Sequence, residues 1–366
     1  MRVKVTLAIA LGFLGATYAL SQTQAPPATA QPTGAKRALQ ALQDSGEAAV
    51  LATCKNPPQQ AQRPAGPPGQ GGPPAPAAGP RDYSVAEIPG VIAAGQQWKF
   101  VWQELGNNGD GIIGSHDGGL LIAQNDNSEV VKLDANGKAS VVYADTNTGG
   151  ALSMSTKGAL FIDERGLNPS IVELAPIHKT LANSYQGDPL DCIGIVLNDL
   201  VADSKGGAYF TMGGLFYADS SGKVTEYGDN LHTNGIILSR DEKTLYVTNG
   251  PTVAALDVHP DASLTNQREF GKLEGGGFGD GSTIDAAGRI YVTTGPGVQV
   301  LGPDGKYLGL IPTPRGVISV AFSGHDKKTL FILARGAKDT QGDEVANAAQ
   351  IYSISMIAQG FKKRAK

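Results

Sequence analysis

The sequence predicts an all-β protein whose chain folds as a six-bladed β-propeller. After about residue 83, short apolar runs alternate with Gly, Asp, Asn and Ser turns, and no long helical periodicity interrupts them. One strand–turn–strand pattern occurs six times, and each copy has a leucine or an aromatic residue at the centre of its second strand. These central residues are Leu121, Phe161, Tyr209, Tyr246, Tyr291 and Phe331. Their separations of 40, 48, 37, 45 and 40 residues are typical of four-stranded blades and disfavour the alternatives, a β-sandwich or two small β domains.

The chain begins with a segment typical of a secretory signal peptide, residues 1–21. Arg2 and Lys4 flank the start of an apolar run over residues 5–14, and the small residues that follow suit cleavage after residue 21. A bilayer span needs about 20 apolar residues, so a retained membrane anchor is the less favoured alternative. We therefore expect a secreted or periplasmic protein with no membrane span in the mature chain.

Residues 22–82 predict a disordered linker that precedes a propeller over residues 83–360. The linker is rich in Pro, Gly, Ala and Gln, and such a segment cannot bury enough apolar surface to offset the entropy lost on ordering. Within it, residues 36–53 could form a short helix. One of the two cysteines, Cys54, lies in the linker, and the other, Cys192, lies in the propeller. In an oxidising compartment they could pair, and two independent thiols are the alternative.

The later strands of the blades follow hairpin turns. Residues 135–137 of the first copy contain Asn-Gly, and residues 303–305 of the fifth contain Asp-Gly, pairs that tolerate the positive φ angles of tight hairpins. The sixth copy has a third strand but no convincing fourth. Residues 98–104 are predicted to supply that strand, which would close the ring and leave only short blade edges.

The candidate functional residues lie where the inner strands begin. The innermost strand of each blade lines the central channel, so equivalent positions on successive blades converge at one mouth of it. Counting back 11 or 12 residues from each central residue gives Asp110, Gly150, Asn198, Asn234, Asp280 and Ser319. Four of these are Asp or Asn, whose oxygens suit a hard cation, Ca²⁺ above all, or Mg²⁺ or Mn²⁺. Zn²⁺ is less favoured because the set contains no His or Cys, and the alternative to any metal site is that these residues simply open strands after turns.

Three of the copies resemble a known family. The segments are NDLVADSKGGAYFT, NGIILSRDEKTLYVT and DGSTIDAAGRIYVTTGPGVQVLGPDGKYLG, and they are similar to the senescence marker protein/gluconolactonase/luciferin-regenerating enzyme family. The similarity covers roughly residues 100–356. It implies a six-bladed propeller with one divalent metal, usually calcium, at the channel mouth, and hydrolysis of sugar-acid lactones, other lactones or phosphotriesters.

The resemblance also implies roles for individual residues. The family's metal-binding Asn and Asp carry over to Asn234 and Asp280, and an Asn at or near the metal carries over to Asn198. Asn198 and Asn234 would hold the metal and position the substrate oxygen. The first blade departs from the family pattern, because D-G-I-I-G stands where members have E-G-P-x-W, so that Asp110 replaces a Glu as metal ligand. Val196 stands where sugar-lactone members often have Arg, which favours a less polar substrate.

These features favour a metal-dependent hydrolase of the lactonase type, acting on a small ester or lactone, with Asp280 as the candidate general base. A non-catalytic, metal-stabilised binding propeller and a phosphotriesterase on the same metal are the alternatives. The net charge of -4 gives no reason to expect nucleic acid as a partner. We expect a monomer whose partner is a small-molecule substrate.

Overall fold

The structure, a computed structural model, describes residues 46–57 and 83–366. The predicted signal peptide, residues 1–21, and the parts of the predicted linker over residues 22–45 and 58–82 lie outside the described residues. Among the helices of the described part of the chain, none is both long and apolar enough to cross a membrane.

The short apolar runs of the sequence form six four-stranded antiparallel sheets, which are the six predicted blades. The strands of blades 1 and 2 are β2 (Gly109–Gly114), β3 (Leu120–Gln124), β4 (Glu129–Leu133) and β5 (Ala139–Ala144), then β6 (Leu152–Met154), β7 (Leu160–Glu164), β8 (Ser170–Ala175) and β9 (Lys179–Ala182). Those of blades 3 and 4 are β12 (Asp199–Ala202), β13 (Ala208–Met212), β14 (Gly214–Ala218) and β15 (Val224–Tyr227), then β16 (Thr233–Leu238), β17 (Thr244–Asn249), β18 (Thr252–Val258) and β19 (Leu264–Lys272).

The last two blades and the connections complete the ring. Their strands are β20 (Ser282–Ile284), β21 (Ile290–Thr294), β22 (Gly297–Leu301) and β23 (Tyr307–Pro312), then β24 (Val317–Ser323), β25 (Thr329–Lys338), β26 (Glu344–Ser355) and β1 (Lys99–Leu105). A small hairpin of β10 (Ser184–Tyr185) and β11 (Asp188–Pro189), followed by a 3-10 helix at Leu190–Ile193, connects blades 2 and 3. A second 3-10 helix, Glu274–Gly276, connects blades 4 and 5.

Burial changes from the channel outwards across each blade. Successive side chains of a strand point to opposite faces, and in the middle strands β3, β13 and β21 every residue is buried, because neighbouring blades cover both faces. The outer strand β5 is exposed along most of its length. The inner strands are short and enclosed by other blades, so the residues at their ends are held at fixed places around the channel.

Blade 6 combines an early and a late part of the chain. β1 pairs antiparallel with β26, with Gln103 opposite Gln350, and the strand order in this sheet is β1-β26-β25-β24. This confirms the closure predicted for residues 98–104. Just before β1, the indole N–H of Trp98 donates to the Pro312 carbonyl oxygen at 2.8 Å, and the ring packs in a core cluster shared by blades 5 and 6.

Residues 46–57, called here the N-terminal segment, lie against the connection between blades 2 and 3. Residues 46–51 are helical, and Cys54 forms a disulfide with Cys192, with 5.6 Å between the two Cα atoms. The ammonium group of Lys55 donates to the Gln186 carbonyl oxygen at 2.9 Å. The structure thus differs here from the predicted linker, because composition says nothing about the partner of a cysteine, and one cross-link fixes a segment that has little core of its own.

Residues 356–366, called here the C-terminal strap, cross the channel at the end opposite to the beginnings of the inner strands. Two isolated β-bridges attach the strap to the ring, Met154 with Ala365 and Asp285 with Gly360. Met154 ends β6, and Asp285 directly follows β20. The strap therefore covers one end of the channel and leaves the other as its mouth.

Candidate functional site

The structure brings the six predicted positions together in one ring at the mouth of the channel. Neighbouring inner strands contact each other there: the Gly111 N–H donates to the Gly150 carbonyl oxygen at 2.8 Å, and the Gly281 N–H donates to the Ile318 carbonyl oxygen at 3.0 Å. In blade order, this mouth ring consists of Asp110, Gly150, Asn198, Asn234, Asp280 and Ser319.

A glycine follows three of the ring residues because the next blade leaves no room for a side chain. These glycines are Gly111, Gly235 and Gly281. A Cβ added at Gly235 would overlap the carbonyl oxygen of Asp280, and one at Gly281 would lie 2.8 Å from the Ile318 carbonyl oxygen. The D-G and N-G pairs of the family resemblance therefore have a packing cause. The first residue of each pair supplies a polar side chain to the mouth, and the second admits the neighbouring strand.

Two carboxyl groups influence each other across the mouth. Burial, followed by the negative charge of Asp110, raises the pKa of Asp280 to about 7, although the charges of Arg335 and Arg165 act in the opposite direction. A carboxyl group with this pKa is close to half-protonated at neutral pH. It can therefore accept a proton from a reacting group and return it, which is the requirement for general base catalysis.

The two ring amides have different surroundings. The side-chain oxygen Oδ1 of Asn234 is buried and accepts no hydrogen bond within the described part of the chain. A buried oxygen without a partner costs about 1–3 kcal/mol, so this atom favours the binding of a cation or a donor. Asn198 is 9% exposed, and its backbone N–H donates to the Thr211 carbonyl oxygen at 2.9 Å, which anchors it beside the mouth.

A cationic side chain that was not predicted from the sequence also lies in the ring. Arg165, directly after β7, donates through Nη1 to Asp110 Oδ2 and through Nη2 to the Asn198 carbonyl oxygen, and its Nε lies 3.3 Å from Asp163 Oδ2. Burial acts to lower the pKa of Arg165, but the charges of Asp110 and Asp163 outweigh it and raise that pKa above its ordinary value. The guanidinium occupies the space over Gly150, where an added Cβ would overlap it. A glycine at a ring position was the available signal for this residue.

Below the ring, a second set of charges closes the channel. Both carboxylate oxygens of Asp199 are used, because Oδ1 accepts from the Lys366 ammonium group and Oδ2 accepts from the Ile236 N–H at 2.9 Å. Burial lowers the pKa of Lys366, and the charge of Asp199 opposes that effect. A cavity of about 20 Å³ lies between these two side chains and the inner strands, which is room for about one water molecule. Gly111, Gly281 and Ser319 also line this cavity, so it lies next to the mouth ring.

The carboxylate and amide oxygen atoms of the mouth are of the ligand type that hard divalent cations prefer. The carboxylates of Asp110 and Asp280 repel each other, and Asn234 Oδ1 has an unmet demand for a partner, so a cation among the three would relieve both. Over residues 46–57 and 83–366, no three side chains of His, Cys, Asp or Glu form a group suited to a metal ion. Amide oxygens would therefore have to complete the ligand set.

Apolar side chains lie on the loops that lead into the mouth ring. Ile195 and Val196, just before Asn198, are 41% and 57% exposed, and Phe278, two residues before Asp280, is 60% exposed. Exposed apolar groups next to a polar pocket are typical of binding sites for molecules that combine a polar and an apolar part. The position that the family resemblance assigns to an Arg is thus an exposed Val in this chain.

The sequence is similar to known lactonases. The family model of the SMP-30/gluconolactonase/LRE-like region matches residues 148–335. A gluconolactonase of Zymomonas mobilis subsp. mobilis is 27% identical over 217 residues, which are 50% of this chain and 60% of that protein. Lactonase drp35 of Staphylococcus epidermidis is 32% identical over 140 residues, 35% of this chain and 36% of that protein. The chain therefore spans 60% or less of the length of these curated relatives.

Solved structures of similar proteins have the same propeller fold. The gluconolactonase of Xanthomonas campestris superposes with a TM-score of 0.60 at 21% identity, over 81% of this chain and 99% of that one. The calcium-binding protein regucalcin of Agrobacterium tumefaciens superposes with a TM-score of 0.55 at 20% identity, over 69% of this chain and 91% of that one. At these identities the likeness bears on the fold alone.

Proposed function

Because the chain belongs to the SMP-30/gluconolactonase/LRE-like family, we propose that it hydrolyses a small lactone or ester at the channel mouth with the help of one divalent cation, calcium above others. The observation that carries the proposal is Asp280, a buried carboxyl whose pKa is raised to about 7 and which shares the mouth ring with Asp110 and with the unpaired Asn234 Oδ1. The family match supports this function.

The proposed ligands of the cation are Asp110, Asn234 and Asp280. A cation bound there would polarise the substrate carbonyl and stabilise the oxyanion that forms when water attacks it. Asn198 lies next to Asn234 in the blade order of the ring. Its amide group would donate a hydrogen bond to the substrate and hold the carbonyl in position.

Asp280 moves the proton in this mechanism. One carboxylate oxygen accepts a proton from water as the new C–O bond forms at the acyl carbon. The same carboxyl returns the proton to the leaving alkoxide oxygen as the ring C–O bond breaks, so a lactone and one water become one hydroxy acid. In the mouth without an ion the pKa of Asp280 is about 7, and a cation bound to this carboxyl would lower that pKa and favour the ionised form that accepts the proton.

We also propose that the substrate carries an apolar group and that hydrolysis takes place outside the cytoplasm. Exposed Ile195, Val196 and Phe278 support the first point, since they could cover an alkyl substituent of a lactone. The signal-like residues 1–21 support the second, as does the Cys54–Cys192 disulfide, because disulfides persist in oxidising compartments.

The test is hydrolysis of a panel of glucono-lactone, alkyl-substituted lactones and phosphotriesters after chelation, with Ca²⁺, Mg²⁺, Mn²⁺ and Zn²⁺ then added singly. We expect alkyl lactones to be the best substrates, activity to disappear with chelator and calcium to restore it. Asp280→Asn should lower kcat/KM by about 10²-fold or more, the contribution of a general base. Asp304→Asn is the matched control, because it makes the same change at an exposed turn of the same blade.

Three outcomes would contradict the proposal. Lactone hydrolysis that survives both the chelator and Asp280→Asn would exclude this mechanism. Calcium-dependent thermal stabilisation without turnover of any compound would favour a binding propeller, since a bound ion stabilises the folded state whether or not chemistry follows. Faster hydrolysis of phosphotriesters than of every lactone would favour the phosphotriesterase alternative.

A further inference from the structure

The guanidinium of Arg165 takes the place that a side chain of blade 2 would have in the mouth ring. The ring position of that blade is Gly150, and the three atoms nearest to a Cβ built there all belong to the Arg165 guanidinium. Its Nη1 donates to Asp110, which is itself a proposed cation ligand, and its Nη2 donates to the Asn198 carbonyl oxygen. Arg165 is therefore in direct competition with any ion that needs Asp110.

The charges around the mouth are nearly balanced without any bound ion. Four carboxyl groups and three cationic groups influence one another there, namely Asp110, Asp163, Asp199, Asp280, Arg165, Arg335 and Lys366. With all of them ionised the sum is one negative charge. A bound divalent ion would give the mouth an excess of positive charge. The repulsion between the ion and the resident cations falls if one of those cations moves away.

Arg165 is a resident cation whose movement would free a proposed ligand of the ion, because it donates to Asp110. Lys366 is held below the ring by Asp199 and by the Leu200 carbonyl oxygen. The Arg165 side chain lies in the mouth, is 11% exposed, and keeps a second acidic partner in Asp163 if it loses the first. Its departure from Asp110 would break one charge-assisted hydrogen bond and leave the guanidinium protonated.

We propose that Arg165 is an exchangeable internal cation: it neutralises Asp110 while the mouth holds no divalent ion, and it releases Asp110 when an ion binds. The proposal rests on the cation of the proposed function but not on turnover. The contact between Arg165 and Asp110 would lower the affinity for the ion relative to a mouth without this contact, because each ion must break the contact in order to bind. The released guanidinium then faces the mouth opening, beside the place where the substrate would enter.

The experiment measures the dissociation constant of calcium by titration calorimetry, with Tb³⁺ luminescence as a second probe, on the full chain after chelator treatment. Arg165→Gln should bind calcium about tenfold or more tightly than the original chain, the effect of removing one strong competing hydrogen bond. Gly150→Ala should act in the same direction with Arg165 still present, because the new methyl group overlaps the guanidinium and displaces it.

Arg335→Gln is the matched control for charge alone. Arg335 also acts on Asp280 through its charge, and it is an exposed residue. We expect its removal to tighten calcium binding less than Arg165→Gln does, because Arg165 holds Asp110 by a charge-assisted hydrogen bond as well as by its charge. Circular dichroism and thermal melts identify any variant that is unfolded. If Arg165→Gln is unfolded, Arg165→Lys replaces it, since lysine keeps the positive charge but lacks the planar guanidinium group. We expect Arg165→Lys to increase the calcium affinity by an intermediate factor.

The proposal is overturned if Arg165→Gln and Gly150→Ala both leave the calcium affinity unchanged. It is also overturned if Arg335→Gln increases the affinity as much as Arg165→Gln, since that would be general electrostatics, or if no variant binds a divalent ion. Absence of lactone turnover together with the expected change in affinity would contradict the proposed function and support this inference. The two can therefore fail separately.

Discussion

Asp280 ionises with difficulty because it is buried and because Asp110 repels a second negative charge in the mouth. Two other ring residues also lack full compensation. Asn234 Oδ1 accepts no hydrogen bond from any residue that the structure describes, and Asp110 accepts from the guanidinium of Arg165. These side chains favour the binding of a ligand, and they lower the stability of the folded protein without one. That is the usual relation between a binding site and the stability of its scaffold.

In the presence of chelator, the stability of the fold should fall as pH rises from about 4 to about 7. The pKa of Asp280 is about 7 in the folded state and about 4 in an unfolded chain. The protonated carboxyl therefore makes its full contribution to the free energy of unfolding below pH about 4, and this contribution is lost as the pH rises through about 7. We expect Asp280→Asn to remove at most about 4 kcal/mol of this loss, at about 1.4 kcal/mol per pKa unit.

The measurement is the free energy of unfolding in urea at pH 5 and pH 8 for the original chain, Asp280→Asn and the control Asp304→Asn. Asp163, whose pKa burial also raises to about 7, leaves a residual dependence in the variant. Equal pH dependence in all three proteins would show that Asp280 ionises freely in the folded state.

The residues of the mouth were predictable where they follow the blade repeat. Asp110, Asn198, Asn234 and Asp280 occur at one offset from the blade centres, and the structure places them in one ring. Their roles as ligands or catalysts stay a prediction. Arg165 was not predictable from that offset, because it lies after the second strand of its blade and reaches the ring through the length of its side chain.

At the scale of elements, a covalent bond and polar contacts attach the N-terminal segment to the propeller. Its disulfide joins residues separated by 138 positions in the sequence. Lys55 adds an exposed hydrogen bond to Gln186, which contributes little in water. The partner of the segment, the connection between blades 2 and 3, leads directly into Asn198 of the mouth ring. The cross-link therefore restrains a loop that carries a proposed substrate contact.

Removal of this disulfide should destabilise the fold and loosen that loop. We expect Cys54→Ser combined with Cys192→Ser to lower the free energy of unfolding by about 2–4 kcal/mol, because the reduced unfolded chain gains conformational freedom. Urea unfolding with and without a reductant measures the effect. The reductant should destabilise the original chain and have no effect on the double variant; an equal response of both would place the effect elsewhere.

Most elements were predictable because burial imposes a pattern on their sequences. The hairpin turns at residues 135–137 and 303–305 lie as predicted, with Gly137 and Gly305 both at φ 81°. Residues 336–348 are polar in composition, as in a loop, yet β25 and β26 extend through most of that range. The first four residues of β26 are exposed or half-buried, so no alternation of apolar and polar residues marks them as a strand.

For the whole molecule, the ring is held together by two late parts of the chain, β26 and the C-terminal strap. β26 joins blade 6 to β1, and the strap joins blades 2, 4 and 5 across the closed end of the channel. Arg364 is the strap's most buried charged side chain, 1% exposed, and donates to the Ser239 carbonyl oxygen at 3.0 Å while lying 3.4 Å from Glu242. Burial lowers the pKa of Arg364 to about 10.

Arg364→Met should destabilise the propeller by about 3 kcal/mol, because it leaves Glu242 and two carbonyl groups without their buried cation. Lys363→Met is the control, since Lys363 is the exposed neighbour in the same strap. Urea unfolding compares the two. Equal stability of both variants would mean that the strap contributes little to closure.

The pairing of β1 with β26 also orders events during synthesis. A ribosome makes β1 early and β26 near the end, and at about 5–20 residues per second the interval is on the order of tens of seconds. Throughout it, the nascent chain carries an unpaired strand whose Trp102 becomes buried only when blade 6 forms. Blades 1 to 5 can be complete while this strand still awaits its partner. The unpaired strand β1 is therefore open to aggregation until β26 emerges. A chaperone that binds extended apolar segments would find β1 exposed for longer than any other strand of the propeller.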